Sequence, residues 1–119
     1  MPEHRLLYYQ SARRERPFAE WLAELRDRHA RARIQTRLSR LALGNFGDCE
    51  PVGEGVLELR IDWGPGYRVY FARVGAAILL LLCGGDKTTQ QKDINLAKAY
   101  FKDYKIRATK STGALRRRP

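Results

Sequence analysis

The hydrophobic positions in the first half of the chain recur with a helical period after one short strand. Residues 5–9 are apolar and aromatic, and they predict that strand. Apolar residues then repeat at i, i+3, i+4 and i+7 over residues 18–25, directly after Pro17, which suits the first turn of a helix. A second apolar stripe over residues 34–41 ends at Gly44, which supplies a left-handed stop. This half therefore predicts a strand and an N-terminal helical hairpin.

The second half of the chain changes to a period of two. Residues 57–61 alternate between apolar and charged side chains, and residues 67–73 resume the alternation after a Gly-Pro-Gly turn. Residues 78–83 are continuously apolar, as in a strand with little solvent on either side, and two glycines follow. The apolar spacing over residues 94–104 predicts a final amphipathic helix. The order β-α-α-β-β-β-α predicts an α+β fold, with an antiparallel sheet covered by helices on one side.

Length and charge limit the domain organisation and the kind of partner. The chain has 119 residues, enough for one hydrophobic core, and we expect a single domain over residues 1–106. Its 23 basic and 13 acidic residues give a net charge of +10, which favours polyanionic partners. Residues 107–119 contain five basic residues and no acid, so they hold half of that charge. Their composition predicts a disordered basic extension.

Several classes of protein are disfavoured by the composition. The longest apolar stretch, residues 76–83, is far shorter than a membrane span, and the first residues lack the pattern of an export signal. Cys49 and Cys83 have neither the spacing of a metal clip nor the density of a disulfide scaffold, and His4 and His29 are isolated. We therefore expect a cytoplasmic protein with no membrane contact, no metal and no cofactor.

Basic and aromatic side chains fall on one predicted face of the central strands. Arg60, Arg68 and Tyr70 are expected on the face that a single layer of helices leaves partly open. Arginines bind phosphates and rings stack on bases, so this face suits single-stranded RNA, although inert sheets also carry polar residues outward. A second basic set lies on one face of the second helix, either as an RNA-binding surface or as a solvated face: Arg33, Arg37 and Arg40.

Motifs along the chain resemble those of a known family. They are Gly53-Glu54-Gly55-Val56 leading to Glu58-Leu59-Arg60-Ile61, then Gly64-Pro65-Gly66-Tyr67-Arg68-Val69-Tyr70-Phe71, and Leu82-Cys83-Gly84-Gly85-Asp86-Lys87-Thr88-Thr89-Gln90. Over residues 5–105 the chain resembles the HigB-like addiction module killer proteins of the RelE/ParE superfamily. The resemblance implies a RelE-like, microbial ribonuclease-like fold and the toxin of a type II toxin–antitoxin system. Its RNA-cutting members cleave messenger RNA in the ribosomal decoding site, with the ribose 2′-hydroxyl as nucleophile and without metal.

The resemblance also implies roles for basic residues. Arg60, Arg68 and Lys87 match basic positions of the RNA-cutting members, and all three suit stabilisation of the phosphorane-like charge. Arginine offers a planar fork to a phosphate, whereas a lysine can also donate or accept a proton. The expected catalytic cations are therefore these three side chains.

Two departures from the family pattern affect the remaining roles. Glu58 stands where the family has a second basic residue, and Asp93 stands where the last helix carries a tyrosine. The general base is consequently open: Glu58 accepts the proton, or Asp86 does so or orients the lysine that follows it. Tyr67 or Tyr70 takes the role of stacking on a base.

Two functions follow from the resemblance, and the fold alone does not separate them. One is a ribosome-dependent messenger RNA endoribonuclease, and the alternative is a non-enzymatic, ParE-like inhibitor of DNA gyrase. The three matching basic residues favour cleavage, whereas the two departures leave gyrase inhibition open. A third class, a simple basic nucleic-acid-binding module, would tolerate exchange of arginine for lysine. The expected partners are a HigA-like helix-turn-helix antitoxin, the ribosome and messenger RNA.

Overall fold

One five-stranded mixed sheet organises the chain. The computed structural model describes residues 3–116, with side chains described for residues 3–110. Its elements are β1 (Arg5–Tyr8), α1 (Pro17–Glu24), α2 (Arg28–Ala42), β2 (Cys49–Gly53), β3 (Val56–Ile61), β4 (Tyr67–Val74), β5 (Ile78–Asp86), a 3-10 turn (Lys87–Thr89) and α3 (Gln90–Arg116). The strand order is β1-β5-β4-β3-β2. The protein is therefore α+β, with a C-terminal helix.

The sheet is mixed, whereas the sequence pattern predicts an antiparallel one. β1 pairs with β5 in parallel, and every other neighbouring pair is antiparallel. Two parallel neighbours must be joined by a long crossover connection. Here the connection from β1 to β5 contains α1, α2 and the strands β2, β3 and β4. Such a pairing depends on distant segments, so the local alternation of residues does not reveal it.

Helices cover both faces of the sheet, so the prediction of one open face is wrong. On one face, Phe18 and Leu22 of α1 and Ile34 of α2 pack with Leu59 and Val69 of the central strands. The opposite face packs against α3 through a second hydrophobic cluster, which includes Val56, Tyr70, Leu80, Ala97 and Phe101. We call these the α1–α2 face and the α3 face. The α3 face is therefore largely covered by α3.

The strand β2 is an addition to the predicted order, which has three strands between the second and third helices instead of four. It lies at the sheet edge beside β3, with Glu50 directly opposite Glu58. Pro51 lies inside it, and an edge strand tolerates a proline that a central strand would not. Its two apolar side chains give no alternating pattern, which explains why the sequence does not predict it.

The final helix extends beyond the apolar spacing that predicts it. α3 continues to Arg116, so the backbone of residues 107–116 is helical rather than a disordered extension, and residues 117–119 lie outside the described part. Arg107 ties this helix to the domain, because its guanidinium donates to the Asp103 carboxylate and to the carbonyl of Gln10. No helix within residues 3–116 is long and apolar enough to cross a bilayer.

Candidate functional site

A buried carboxylate lies at the centre of the candidate site, on the α3 face. Glu58 of β3 is 1% exposed. Its Oε2 accepts hydrogen bonds from the Tyr70 hydroxyl at 2.9 Å and from Nε2 of Gln90 at 2.8 Å. Its Oε1 accepts one from Nε of Arg60 at 3.1 Å, and Nε of Arg68 lies 3.8 Å from the same oxygen. Four donor groups from β3, β4 and α3 thus surround one carboxylate.

The surroundings of Glu58 keep it ionised. Burial by itself raises the pKa of this carboxyl, but the hydrogen bonds from Gln90, Tyr70 and Arg60 outweigh burial and hold the pKa below its ordinary value. Three hydrogen bonds and a lowered pKa make this buried carboxylate a weak acceptor for a substrate proton. The contacts favour a role for Glu58 in anchoring the arginines around it, whereas its role as general base stays an untested prediction.

The position of Tyr70 also corrects the prediction that its ring stacks on a base. The side chain is fully buried beneath α3, and its hydroxyl donates to Glu58. Burial and the neighbouring carboxylate raise the pKa of Tyr70 far above its ordinary value, so the hydroxyl stays protonated. A ring enclosed in the core cannot stack on a nucleotide base. Tyr70 instead supports Glu58 from the neighbouring strand.

Arg60 is held between acidic side chains of two strands. Its Nη2 lies 2.7 Å from Oε2 of Glu50, and its Nε lies 3.1 Å from Glu58. A third acid, Asp48, is 4.0 Å from Nη1. The Arg60 side chain remains 33% exposed, because Glu50 and Asp48 lie at the sheet edge and are themselves well exposed. Arg60 therefore presents one edge to the buried acid and another to solvent.

Arg68 and Lys87 meet at the turn that precedes β4. The Arg68 side chain is 12% exposed, and its Nη1 donates to the carbonyls of Gly66 and Tyr67 at 3.2 and 3.3 Å. A Cβ placed on Gly66 would lie 3.4 Å from Cβ of Lys87 and 3.5 Å from Nη1 of Arg68. The aliphatic stem of Lys87 and the guanidinium of Arg68 therefore flank Gly66, a residue with φ of +81° that a larger side chain would not suit.

Asp86 shapes the turn that carries Lys87. Its Oδ1 accepts hydrogen bonds from the backbone N–H and the hydroxyl of Thr88, and its backbone N–H donates to the hydroxyl oxygen of Thr89. This capping box begins the 3-10 turn from which α3 continues. These hydrogen bonds let Asp86 orient Lys87, which is one of its two predicted roles; the other role, acceptance of a substrate proton, stays a prediction.

A second buried carboxylate lies one turn into α3. Asp93 is 8% exposed and accepts a hydrogen bond from the Thr89 hydroxyl. It lies against the backbone of Gly85, where a Cβ would overlap its carboxylate. Burial raises the pKa of Asp93, opposite in direction to the shift of Glu58, and outweighs the lowering effect of the Thr89 hydrogen bond and of Lys92. Asp93 thus fastens the start of α3 to β5.

The predicted RNA-binding arginines lie on a different part of the molecule. Arg33 stacks over the Trp63 ring at 3.9 Å, and Nη1 of Arg37 donates to the backbone carbonyl of Arg60 at 2.6 Å. Together with the exposed Arg40 they line a groove of about 440 Å³ between α2 and the end of β3. The groove is on the α1–α2 face, so it adjoins the backbone of Arg60 but not the Glu58 cluster.

Tyr67 also belongs to the α1–α2 face. Its ring meets the Trp21 ring edge-on at 6.1 Å between centroids, and it remains partly exposed. The structure therefore brings together Glu58, Arg60 and Arg68 on the α3 face, with Lys87 beside Arg68. It separates Tyr67 from them.

Two side chains that contact the site residues are not predicted from the sequence. Gln90 donates to Glu58 from the first residue of α3, and Glu50 reaches Arg60 from the unpredicted strand β2. The only signal for Gln90 is its place at the end of the third family-like motif, and Glu50 has no such signal. Among the described residues, no three histidine, cysteine or carboxylate side chains group closely enough to hold a metal ion.

The fold and the site define a small α+β protein in which a buried glutamate organises two arginines at the end of a mixed sheet. No family model matches the chain. A protein of Haemophilus influenzae strain Rd, described as an uncharacterized protein, is 52% identical to it over 81 residues, which are 68% of this chain and 82% of that protein. The chain belongs to the same family as that protein.

Proposed function

We propose that this protein is the toxin of a type II toxin–antitoxin pair, from the HigB-like branch of the RelE/ParE superfamily, and that it cuts messenger RNA on the ribosome. The sequence motifs that resemble this branch support the proposal. Two helices after the first strand, an antiparallel run of strands and a closing helix are also what a RelE-like fold requires. The proposal places the protein in the cytoplasm, where its substrate is.

One observation carries the proposal most: two arginines are fixed on a buried, ionised glutamate at an open end of the sheet. Arg60 and Arg68 share Oε1 of Glu58, and Lys87 lies beside Arg68 across Gly66. Fixed cations need no rearrangement when charge develops, so they stabilise a crowded phosphorane better than mobile ones. The arrangement suits attack of a ribose 2′-hydroxyl on the adjacent phosphate.

The proposed reaction assigns separate tasks to the cluster. Arg60 and Arg68 bind the phosphate oxygens, and attack by the 2′-oxygen breaks the bond to the 5′-oxygen of the next nucleotide. The Lys87 ammonium donates a proton to that leaving oxygen, and Asp86 holds the turn that positions Lys87. The second carboxylate oxygen of Asp86, Oδ2, is the proposed acceptor of the 2′-hydroxyl proton, because Oδ1 is bonded to Thr88 and Glu58 already accepts three hydrogen bonds. The products are a 2′,3′-cyclic phosphate and a 5′-hydroxyl.

The groove lined by Arg33, Arg37 and Arg40 is the proposed second RNA contact. It lies on the opposite face of the sheet from the cluster and adjoins it only at the backbone of Arg60, whose carbonyl accepts a hydrogen bond from Arg37, so RNA held there contacts a separate surface. The proposed partner that silences the toxin is a helix-turn-helix, HigA-like antitoxin, and acidic segments of it would complement the net charge of +10.

A ParE-like action on DNA gyrase is the second candidate. It is favoured by the burial of Tyr70, which removes one predicted stacking ring from the site, and by Asp93 in the position where RNA-cutting relatives carry a tyrosine. Such a protein would arrest growth through DNA damage and leave messages intact.

Induction in a bacterial host separates the two candidates. Wild type, Arg60→Ala and Arg68→Ala are expressed without an antitoxin, and messenger RNA 5′ ends are mapped within minutes. We expect rapid cuts within translated frames for the wild type, and a loss of cleavage of about 10²–10³-fold for each variant, the usual effect of removing one charge-stabilising group.

The matched control is Lys102→Ala, which removes one exposed positive charge from α3, away from the cluster. It should cut like the wild type. A folded Arg68→Ala protein with full toxicity would count against the nuclease, and growth arrest with intact messages and a DNA-damage response would identify gyrase as the target.

A further inference from the structure

The guanidinium of Arg60 has two acidic neighbours of opposite character. Glu58 is 1% exposed and is also bonded by Tyr70 and Gln90, so it cannot leave. Glu50 has a side chain 58% exposed, and Arg60 is the partner of its carboxylate, at 2.7 Å. The inner edge of the guanidinium is therefore fixed, whereas its outer edge contacts an exposed carboxylate that solvent or another anion can replace.

Like charges face each other across this strand pair. Glu50 and Glu58 are direct cross-strand neighbours on β2 and β3, and both approach Arg60. Directly opposed like charges are unfavourable, and Arg60 offsets that repulsion only in part because it serves both carboxylates. Movement of Glu50 away from Arg60 relieves its repulsion from Glu58. This relief lowers the free-energy cost of replacing Glu50 at Arg60 by another anion.

We propose that the outer edge of Arg60, at Nη2, is a binding subsite for a phosphodiester, and that Glu50 occupies this subsite as an intramolecular stand-in for the phosphate. A carboxylate and a phosphate present similar oxygen pairs to a guanidinium, so each can take the place of the other. RNA enters the site by displacing Glu50 while Glu58 keeps Arg60 in place. The inference rests on the proposed function and adds a residue that restrains RNA binding.

Removal of Glu50 should therefore strengthen RNA binding instead of weakening it. We expect Glu50→Gln to lower the Kd for RNA about two- to fivefold, the range that an exposed ion pair can supply. Glu54→Gln is the matched control: it removes the same charge from the same strand hairpin, where Glu54 pairs with Lys98 at 3.6 Å and not with Arg60. Its Kd should remain close to that of the wild type.

The test uses a short single-stranded RNA with 2′-O-methyl groups throughout, which binds but cannot be cut because the nucleophile is blocked. Its Kd is measured by fluorescence anisotropy for wild type, Glu50→Gln, Glu54→Gln, Arg60→Ala and the double variant Glu50→Gln with Arg60→Ala. The gain from Glu50→Gln should vanish when Arg60 is absent, since Glu50 acts only through that guanidinium. Thermal melts establish that each variant is folded.

The outcomes distinguish this inference from the function on which it rests. Equal binding by wild type and Arg60→Ala overturns both, because Arg60 then binds no phosphate. If Arg60→Ala binds more weakly but Glu50→Gln binds no more tightly than Glu54→Gln, Glu50 is not a stand-in for the phosphate. That outcome does not contradict the proposed nuclease function. A gain for Glu50→Gln that persists without Arg60 also overturns the role, since it would reflect net charge alone.

Discussion

The pKa values of two buried carboxylates, Glu58 on β3 and Asp93 on α3, shift in opposite directions. Glu58 has charged and polar donors on both oxygens, and its pKa is held below the ordinary value. Asp93 has a hydroxyl donor but no described cationic partner, and burial raises its pKa. The difference arises from their neighbours, since both side chains are almost fully buried. At the residue scale, Glu58 therefore binds the donor groups of the site, whereas Asp93 packs against Gly85 of β5 at the start of α3.

The effect of Glu58 on stability should depend on pH. Because its folded-state pKa lies below the ordinary value of 4.5, its ionised form stabilises the fold above that pH, and the contribution is lost as pH falls through the folded-state pKa. We expect Glu58→Gln to lower the free energy of unfolding by about 1–3 kcal/mol at neutral pH, because it removes the buried anion that Arg60 and Arg68 share. Urea unfolding at a series of pH values measures this.

The control for this substitution is Glu54→Gln, an exposed acid on the same hairpin, which should change stability by no more than about 0.5 kcal/mol. The gap between wild type and Glu58→Gln should shrink in acid. A gap that stays constant from neutral pH to below pH 4.5 would mean that the ionisation of Glu58 does not stabilise the fold.

At the scale of elements, consecutive glycines let β5 meet a helix on each face. A Cβ on Gly84 would overlap the Trp21 ring of α1, and one on Gly85 would overlap the Asp93 carboxylate of α3. The pattern Gly84-Gly85 predicts the end of a strand, but β5 continues through both glycines to Asp86. Small residues inside a strand often mark close approach of another group, and here they bring α1 and α3 onto the same strand.

Gly84→Ala should therefore destabilise the docking of α1. The added methyl must displace the Trp21 ring, which packs against Phe18 and Tyr67. We expect a loss of about 1–3 kcal/mol in the free energy of unfolding, typical of an overpacked core. Chemical denaturation of the purified protein measures the loss.

A double-mutant cycle with Trp21→Ala provides the control. Once the ring is absent, Gly84→Ala should cost little, so the two substitutions should be strongly non-additive. Additive losses would show that the cost arises from the strand backbone and not from the ring.

At the scale of the whole molecule, positive charge is spread over separate parts of the surface. The Arg60 and Arg68 cluster lies at the start of α3, the arginine groove lies along α2, and the end of the chain carries Arg116, Arg117 and Arg118. A helix of 27 residues spans about 40 Å, so its two ends cannot serve the same nucleotide. The C-terminal charge should act on overall attraction of RNA and not on chemistry.

Replacement of Arg116, Arg117 and Arg118 by glutamine should weaken RNA binding mainly at low salt. Each lost contact with single-stranded nucleic acid lowers the slope of log K against log salt by about 0.7, so the triple variant should lose about 2 from that slope. Titration of the 2′-O-methyl RNA over a range of salt concentrations measures it.

Cleavage at saturating RNA and the free energy of unfolding should be unchanged in the triple variant. Arg107, which bonds to Asp103 and Gln10, remains in place to hold α3 against the domain. An unchanged salt slope would show that these three charges do not contact RNA.

Local periodicity was sufficient for the elements that bury one regular face. The sequence predicts α1 from Pro17 onward, a helix that ends before Gly44, and the alternating strands β3 and β4, all close to the observed bounds. Each of these segments has its own apolar pattern, and burial of one face requires that pattern wherever the segment lies. By contrast, β2 contains a proline and belongs to the sheet only because β3 lies beside it.

The sequence by itself determined the composition of the candidate site, and tertiary structure decided its arrangement. Arg60, Arg68 and Lys87 are recognisable as cations suited to phosphate from residue type and motif alone. By contrast, the burial of Tyr70, the hydrogen bond from Gln90 to Glu58 and the pairing of Glu50 with Arg60 depend on α3 and β2. Side-chain chemistry is local, whereas burial and ion pairing are set by residues far away in sequence, and only the folded chain brings those residues together.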